Sequence, residues 1–287
     1  MAVTQSNPLS PNPLAKYMRS PVIYIKLPSG GNYWPTGSLE MPINGELPVL
    51  SMNSTDELIF KSPDALMNGQ AVIDVIESCF PNIKNAWEMP IIDLDHCLIA
   101  IRIASYGENM EYSSRCTGCN EFNEYEIDLR RFLDLSVNLE WFDELVKLDD
   151  LSVKLKPQNY KQFTDASLEA FEQQRLVMVA TNDDLDSHVK MEKFNAIFRR
   201  ISSMTTKNIA DSVEYITTSS ETITDRKIIT DFIFNANLKY FNELKKRLEL
   251  TSDAVPKKEV TTTCPSCNIN YSVPFTFDQA NFFASAS

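Results

Sequence analysis

The chain reads as an α+β protein: a mostly helical body with short antiparallel strands and a long-range, zinc-ribbon-like pair of Cys-x-x-Cys knuckles. Three observations predict this. Apolar residues recur at helical spacing in several long segments, among them 70–80 and 225–250. Short runs such as Tyr125, Ile127 and Leu129 alternate with acids in the period of a half-buried strand. The same four-residue cysteine pattern stands at Cys116/Cys119 and again at Cys264/Cys267.

Residues 1–20 carry Pro8, Pro11 and Pro13 among Ser and Asn. Such a stretch buries too little apolar surface to offset the entropy of ordering, and reads as a flexible arm that a partner must hold. From Pro21 the text changes: Val22, Tyr24 and Lys26 alternate with Ile23, Ile25 and Leu27 before a Gly30-Gly31 turn, with Trp34 as an anchor onto the body. Ser54 or Thr55 is suited to cap a short helix, and Ser62-Pro63-Asp64 to open another. Val72, Ile76, Cys79 and Phe80 share one helical face that Pro81 terminates.

The run Pro90–Gly107 is too long for an ordinary strand and reads as a buried helix, with Asp93 and Asp95 near its positive N-terminal end. A strand is expected over 151–157, ending at Pro157, and helices over about 158–182 and 186–203. Val189, Phe194, Ile197 and Ile201 fall near helical spacing in the second. After a brief strand and turn, Thr224 or Asp225 caps one long helix to about Leu250. Ile228, Phe232, Leu238 and Phe241 are expected on its inner side, and Lys245, Lys246 and Arg247 at its solvated end. The expected organisation is an arm (1–20), a strand/turn and helical segment (21–110), a ribbon-like unit built from 111–130 and 259–278, and a mainly helical insertion (131–258).

The cysteine pairs carry the chemistry. Superposed, they align Asn120 with Asn268, and Tyr125, Ile127 and Leu129 with Val273, Phe275 and Phe277. A structural Zn²⁺ takes four soft ligands in a tetrahedron, and two tight turns can each supply two. Gly118 and Ser266 are expected to help each turn expose its sulfurs. Residues 120–263 stand between the pairs, far more than the roughly 15–20 of a local ribbon, so the site is expected to be a long-range clasp. A thioredoxin-like redox pair would precede a helix, whereas strand signal follows each pair here. Four thiolates leave no open position for substrate or water, so this zinc, one per chain, is structural and not catalytic.

The remaining chemistry is sparse. Cys79 and Cys97 lie on apolar helical faces and read as core; His96 reads as a satisfied helix residue and His188 as surface. Asp149-Asp150 and Asp183-Asp184 sit in polar connectors. No phosphate-binding, nucleophile-elbow or zinc-protease motif is present, which points away from an enzyme and leaves catalytic and cofactor-binding residues at none. A net charge of −12 opposes the counterion release that drives nucleic-acid binding. No apolar run approaches the roughly 20 residues of a membrane span, and the N-terminal stretch lacks a signal peptide's apolar core, so synthesis in a reducing cytoplasm is expected.

The stretches KLPSGGNYWPTGSL (26–39) and GELPVLSMNSTDELIFKSPDALMNGQAVIDVIESCFPNIKNAWEMPIIDLDHCLIAIRIASYG (45–107), with the two Cys-x-x-Cys units, resemble the baseplate hub and hub-assembly proteins of T-even-type tailed phages. The resemblance is specific over about 21–130 and weak in the middle helices. It implies a non-enzymatic protein of a contractile tail, acting in baseplate hub assembly in the host cytoplasm, either as a component retained in the virion baseplate or as an assembly factor that leaves. The implied partners are other tail and baseplate proteins, hub or tape-measure proteins among them, and further copies of the chain around the tail axis. The alternatives are a zinc-ribbon adaptor between proteins, or a transient assembly chaperone, for example for the tape-measure protein, absent from the mature virion. Phe282 and Phe283 are candidates for partner contact or for packing back onto the body.

Overall fold

A computed structural model describes residues 14, 17–60, 68–134, 140–180, 187–253 and 258–275. Strand β1 (Pro21–Ile25) pairs antiparallel with β2 (Leu47–Leu50), Ile25 facing Leu47 across the ladder. Their inward side chains meet helices α1 (Ser54–Phe60), α2 (Gln70–Cys79) and α3 (Ile91–Tyr106) in the larger core, where Leu47, Ile76, Phe80, Leu98 and Ile101 are buried. Twelve of the sixteen residues of α3 are buried, because its apolar residues surround the axis and every face needs a neighbour. Cys79 and Cys97 lie in this core, as expected. His96, on the same helix, is buried as well.

Helix α1 begins one residue earlier than its composition suggested. Asn53, not Ser54 or Thr55, is the cap: its Oδ1 accepts the N–H groups of Thr55 and Asp56 at 2.8 and 3.0 Å. Asp56 Oδ2 in turn accepts the Asn53 N–H at 2.9 Å, a reciprocal capping box. Arg19, inside the stretch expected to be an arm, is anchored on the same carboxylate at 3.1 Å and on the Ser51 carbonyl at 2.9 Å. We expect Asn53→Ala to cost about 1 kcal/mol in a urea melt, since two N–H groups lose their acceptor.

Strands β3 (Asn109–Arg115) and β4 (Phe122–Asp128) form a hairpin that follows α3, and helix α4 (Arg130–Leu133) leads on to α5 (Glu140–Asp143). Strands β5 (Val146–Leu148) and β6 (Leu151–Leu155) join β7 (Val213–Thr217) and β8 (Thr222–Ile223) in a four-stranded antiparallel sheet of order β5-β6-β7-β8. The long helices α6 (Tyr160–Ala180) and α7 (Ser187–Asp211) are inserted between β6 and β7 and pack on each other. The sheet, the end of α7, and helices α8 (Arg226–Asn235) and α9 (Leu238–Asp253) surround a second core containing Val153, Leu155, Ile209, Ile229 and Leu244. Hairpin β9 (Glu259–Thr263) and β10 (Asn270–Pro274) closes the described chain.

Several expectations change here. Helix α7 continues to Asp211 rather than ending near 203. The single helix expected to Leu250 is two, because Ala236 is extended (ψ 149°) and Asn237 starts a new helix by accepting the Tyr240 N–H at 3.0 Å. Asp225 caps α8 as expected, accepting from Lys227 and Ile228. The buried residues of α8 are Ile229 and Ile233; Phe232 and Phe241 pack against the second core as expected, while Ile228 and Leu238 are exposed. Arg247, expected in a solvated end, is largely covered and pairs with Glu144 at 2.7 Å. Asp149 sits in the β5–β6 turn with φ 55°, paired to Lys239 at 2.7 Å. In α7, Ile197 is buried and Ile201 exposed; the side chains of His188, Val189 and Phe194 lie outside the described residues, as do the Ser62-Pro63-Asp64 helix start, Asp183-Asp184, Phe277, Phe282, Phe283 and the prolines of the arm.

Candidate metal centre

Each cysteine pair occupies the turn of its own hairpin, so a strand both enters and leaves each knuckle. In the first, the Cys116 N–H donates to the Glu121 carbonyl at 2.9 Å and the Asn120 N–H to the Cys116 carbonyl at 2.9 Å. The second repeats this at the same offset: Cys264 N–H to Ile269 carbonyl at 3.0 Å, Asn268 N–H to Cys264 carbonyl at 2.9 Å. These bonds force the residue after the second cysteine into the left-handed region, and Asn120 (φ 60°) and Asn268 (φ 58°) occupy it. Asparagine tolerates that conformation better than other side chains, which gives the aligned asparagines their physical meaning.

Gly118 has a different role from the one its position suggested. Its φ is not in the left-handed region; what the missing side chain provides is room. A Cβ at Gly118 would stand 2.6 Å from Ile269 Cδ1, so the two knuckles pack face to face there. Gly118→Val is expected to cost no more than about 1 kcal/mol, because the atom it meets is the free end of the exposed Ile269 side chain, which can swing aside. Ile269→Ala in the same chain should recover most of that loss in a thermal melt.

The four sulfurs lie within 4.8 Å of one another, although residues 120–263 separate the pairs in sequence. Cys116 and Cys267 Sγ are 3.6 Å apart, as are Cys119 and Cys264. A tetrahedron with Zn–S bonds of about 2.3 Å has edges of about 3.8 Å, so the spacing fits a tetrahedral thiolate site. Cys116 and Cys264 are buried, Cys267 is half-buried, and Cys119 is exposed.

Hydrogen-bond donors reach two of the four sulfurs. The Gly118 N–H points at Cys116 Sγ (3.3 Å), and Asn123 Nδ2, buried, at Cys264 Sγ (3.6 Å). Loss of solvent raises the Cys264 thiol, but the N–H groups of Cys267 and Ser266 and the neighbouring sulfurs of Cys119 and Cys267 bring it down to about 6. At Cys119 the balance reverses: the Glu121 N–H lowers it, while desolvation and the sulfurs of Cys267, Cys264 and Cys116 push it up to about 12. A divalent cation in their midst would replace the thiol protons and hold every sulfur as thiolate.

Below the sulfurs a hydroxyl chain ties the hairpins together. Tyr271 OH lies 3.1 Å from Ser114 Oγ and 2.8 Å from Tyr125 OH, and Tyr112 OH donates to the Pro274 carbonyl at 3.2 Å. Phe275 stacks on Phe132 with ring centroids 4.7 Å apart and joins the larger core with Val260. Lys258 Nζ bonds Asp95 of α3 at 2.5 Å. The late hairpin is therefore docked on the early body by sulfur, hydroxyl, aromatic and ionic contacts. Asn123 and Tyr271 fall at equivalent positions of the two hairpins with different side chains, so the repeat alone did not expose either as part of the site.

Fold and centre together define an α+β protein whose distant hairpins meet at a four-cysteine site able to hold a metal ion. The chain belongs to the T4 bacteriophage base plate protein family, which matches residues 25–284. Membership of that family implies phage tail partners and a place in the virion baseplate. No curated protein and no solved structure matches the chain. Among the described residues, no helix is long and apolar enough to cross a membrane.

Proposed function

We propose that the chain is a non-enzymatic structural or assembly protein of the baseplate hub of a contractile tail, its fold closed by one zinc on Cys116, Cys119, Cys264 and Cys267. The family match over residues 25–284 carries the baseplate reading. Sulfur spacing of 3.6 Å across the hairpins and N–H donors aimed at two sulfurs support the zinc. Thiolate softness selects zinc over magnesium or calcium, and four protein ligands leave no position for substrate. The metal's role is then to supply folding free energy, not chemistry.

In this reading the ribbon-like unit of 111–130 and 259–278 is a joint, and residues 131–258 are an insertion presented to tail partners. Mass spectrometry of purified mature particles is the test. A fixed copy number of this chain per particle, alongside hub proteins, is expected of a retained component. Absence from particles, with capture of tail precursors from infected cells, would replace it with the transient chaperone. Absence from both would reject a role in the tail.

A further inference from the structure

The centre has a property beyond metal binding. Both of the 3.6 Å sulfur contacts, Cys116 with Cys267 and Cys119 with Cys264, cross from one hairpin to the other. We infer that the four cysteines form a redox-convertible joint, in which oxidation expels the metal and replaces it with two cross-hairpin disulfides, Cys116–Cys267 and Cys119–Cys264. The inference rests on the zinc reading for its starting state, while its end state rests on sulfur geometry alone.

Exposure supplies a point of entry, because Cys119 is the exposed member of the four. Its thiolate attacks one oxygen of a peroxide, the O–O bond breaks, a sulfenic acid forms on Cys119, and hydroxide leaves to be protonated to water. The Cys264 sulfur, 3.6 Å away, then attacks the Cys119 sulfur. The S–S bond forms as the sulfenic oxygen departs, again as hydroxide that becomes water. Two electrons pass from the thiolates to one peroxide. A second peroxide oxidises Cys116 and Cys267 in the same way, leaving Zn²⁺ without ligands. The two hairpins remain joined throughout, now covalently.

Compartments give this conversion a use. A protein made in a reducing cytoplasm keeps its thiols for metal, whereas a particle released from the cell meets oxidising surroundings in which disulfides persist. A joint that closes by metal in the first and by disulfides in the second keeps residues near 116 and 264 together in both. Disulfides within each Cys-x-x-Cys pair would do the opposite, since they would sever the link between hairpins. The Tyr271, Ser114 and Tyr125 hydroxyl contacts and the Phe275–Phe132 stack hold the hairpins in register while the sulfurs react.

The test uses the full chain, purified under reducing conditions, with metal content measured first and hydrogen peroxide then added stepwise. The expected result is loss of the zinc after about two equivalents of peroxide, with a protein mass lower by about 4 Da. Non-reduced digests should contain Cys116–Cys267 and Cys119–Cys264 peptides, and chelator should no longer lower the melting temperature. In Cys119→Ser, only Cys116–Cys267 should form and Cys264 should stay alkylatable. Disulfides within the pairs, disulfides between chains, or oxidation ending at sulfinic acid would overturn the inference. A sample that contains no metal at the outset contradicts the zinc reading separately, and its disulfide map still decides the pairing.

Discussion

Chelation of the purified chain is expected to lower its melting temperature by well over 10 °C and to open residues near 116 and 264 to protease together. The sulfurs link segments that residues 120–263 separate, and a structural zinc in small domains supplies an apparent ~10–16 kcal/mol. Here a large core exists apart from the site, so the loss should fall on the ribbon-like unit first. Cys264→Ser should reproduce the effect without chelator, because it removes the sulfur that Asn123 and two backbone N–H groups serve. Cys79→Ser, in the core and away from the metal, should leave chelator sensitivity intact. The measurement is a thermal melt paired with limited proteolysis, with and without chelator. An unchanged melt on chelation would mean that the hydroxyl and aromatic contacts alone hold the hairpins.

Asp93 carries the second large effect. It is fully buried in the first turn of α3 and accepts three hydrogen bonds: Ser29 N–H at 2.8 Å, Ser29 Oγ–H at 2.6 Å and Trp34 Nε1–H at 2.9 Å. It therefore fastens the 27–39 loop to the central helix. Burial raises its carboxyl to about 6 against the lowering effect of those donors. Because the folded chain then holds a proton that the unfolded chain has lost above about pH 4, this group favours folding most at or below that pH. Its contribution is lost as pH rises through 6, and the difference is on the order of 3 kcal/mol for a shift of about two units.

Asp93→Ala should destabilise by about 3 kcal/mol at neutral pH, since the Ser29 and Trp34 donors lose their acceptor in a buried site. Asp93→Asn keeps an acceptor and should abolish the pH dependence from this group while costing less. Urea unfolding followed by tryptophan fluorescence at pH 5 and pH 7.5 separates the two. Equal pH slopes in the native chain and Asp93→Asn would contradict the assignment.

What the sequence revealed divides along physical lines. The clasp was legible because thiolate chemistry restricts which residues can serve and because the pattern occurs twice with matching strands. Helix α3 was legible from apolar residues running on past any strand length. The break at Ala236-Asn237 was not, since no Gly or Pro marks it and only the bond from the Tyr240 N–H identifies Asn237 as a cap. Asn53 was likewise hidden behind Ser54 and Thr55. The four-stranded sheet was missed in part because β5 and β8 are three and two residues long, too short to show alternation. Trp34 was recognised as an anchor, but its partner Asp93 was read only as a charge near a helix end. Sequence spacing gives no sign of a contact across 59 residues.

The central claim is that one metal ion closes the chain on itself through four thiolates. Native mass spectrometry of the purified chain, with its metal identified by elemental analysis, tests this most directly. One zinc per chain, absent from Cys264→Ser and from chain unfolded in acid, is the predicted result. A metal-free chain whose four thiols alkylate quickly under native conditions would contradict it.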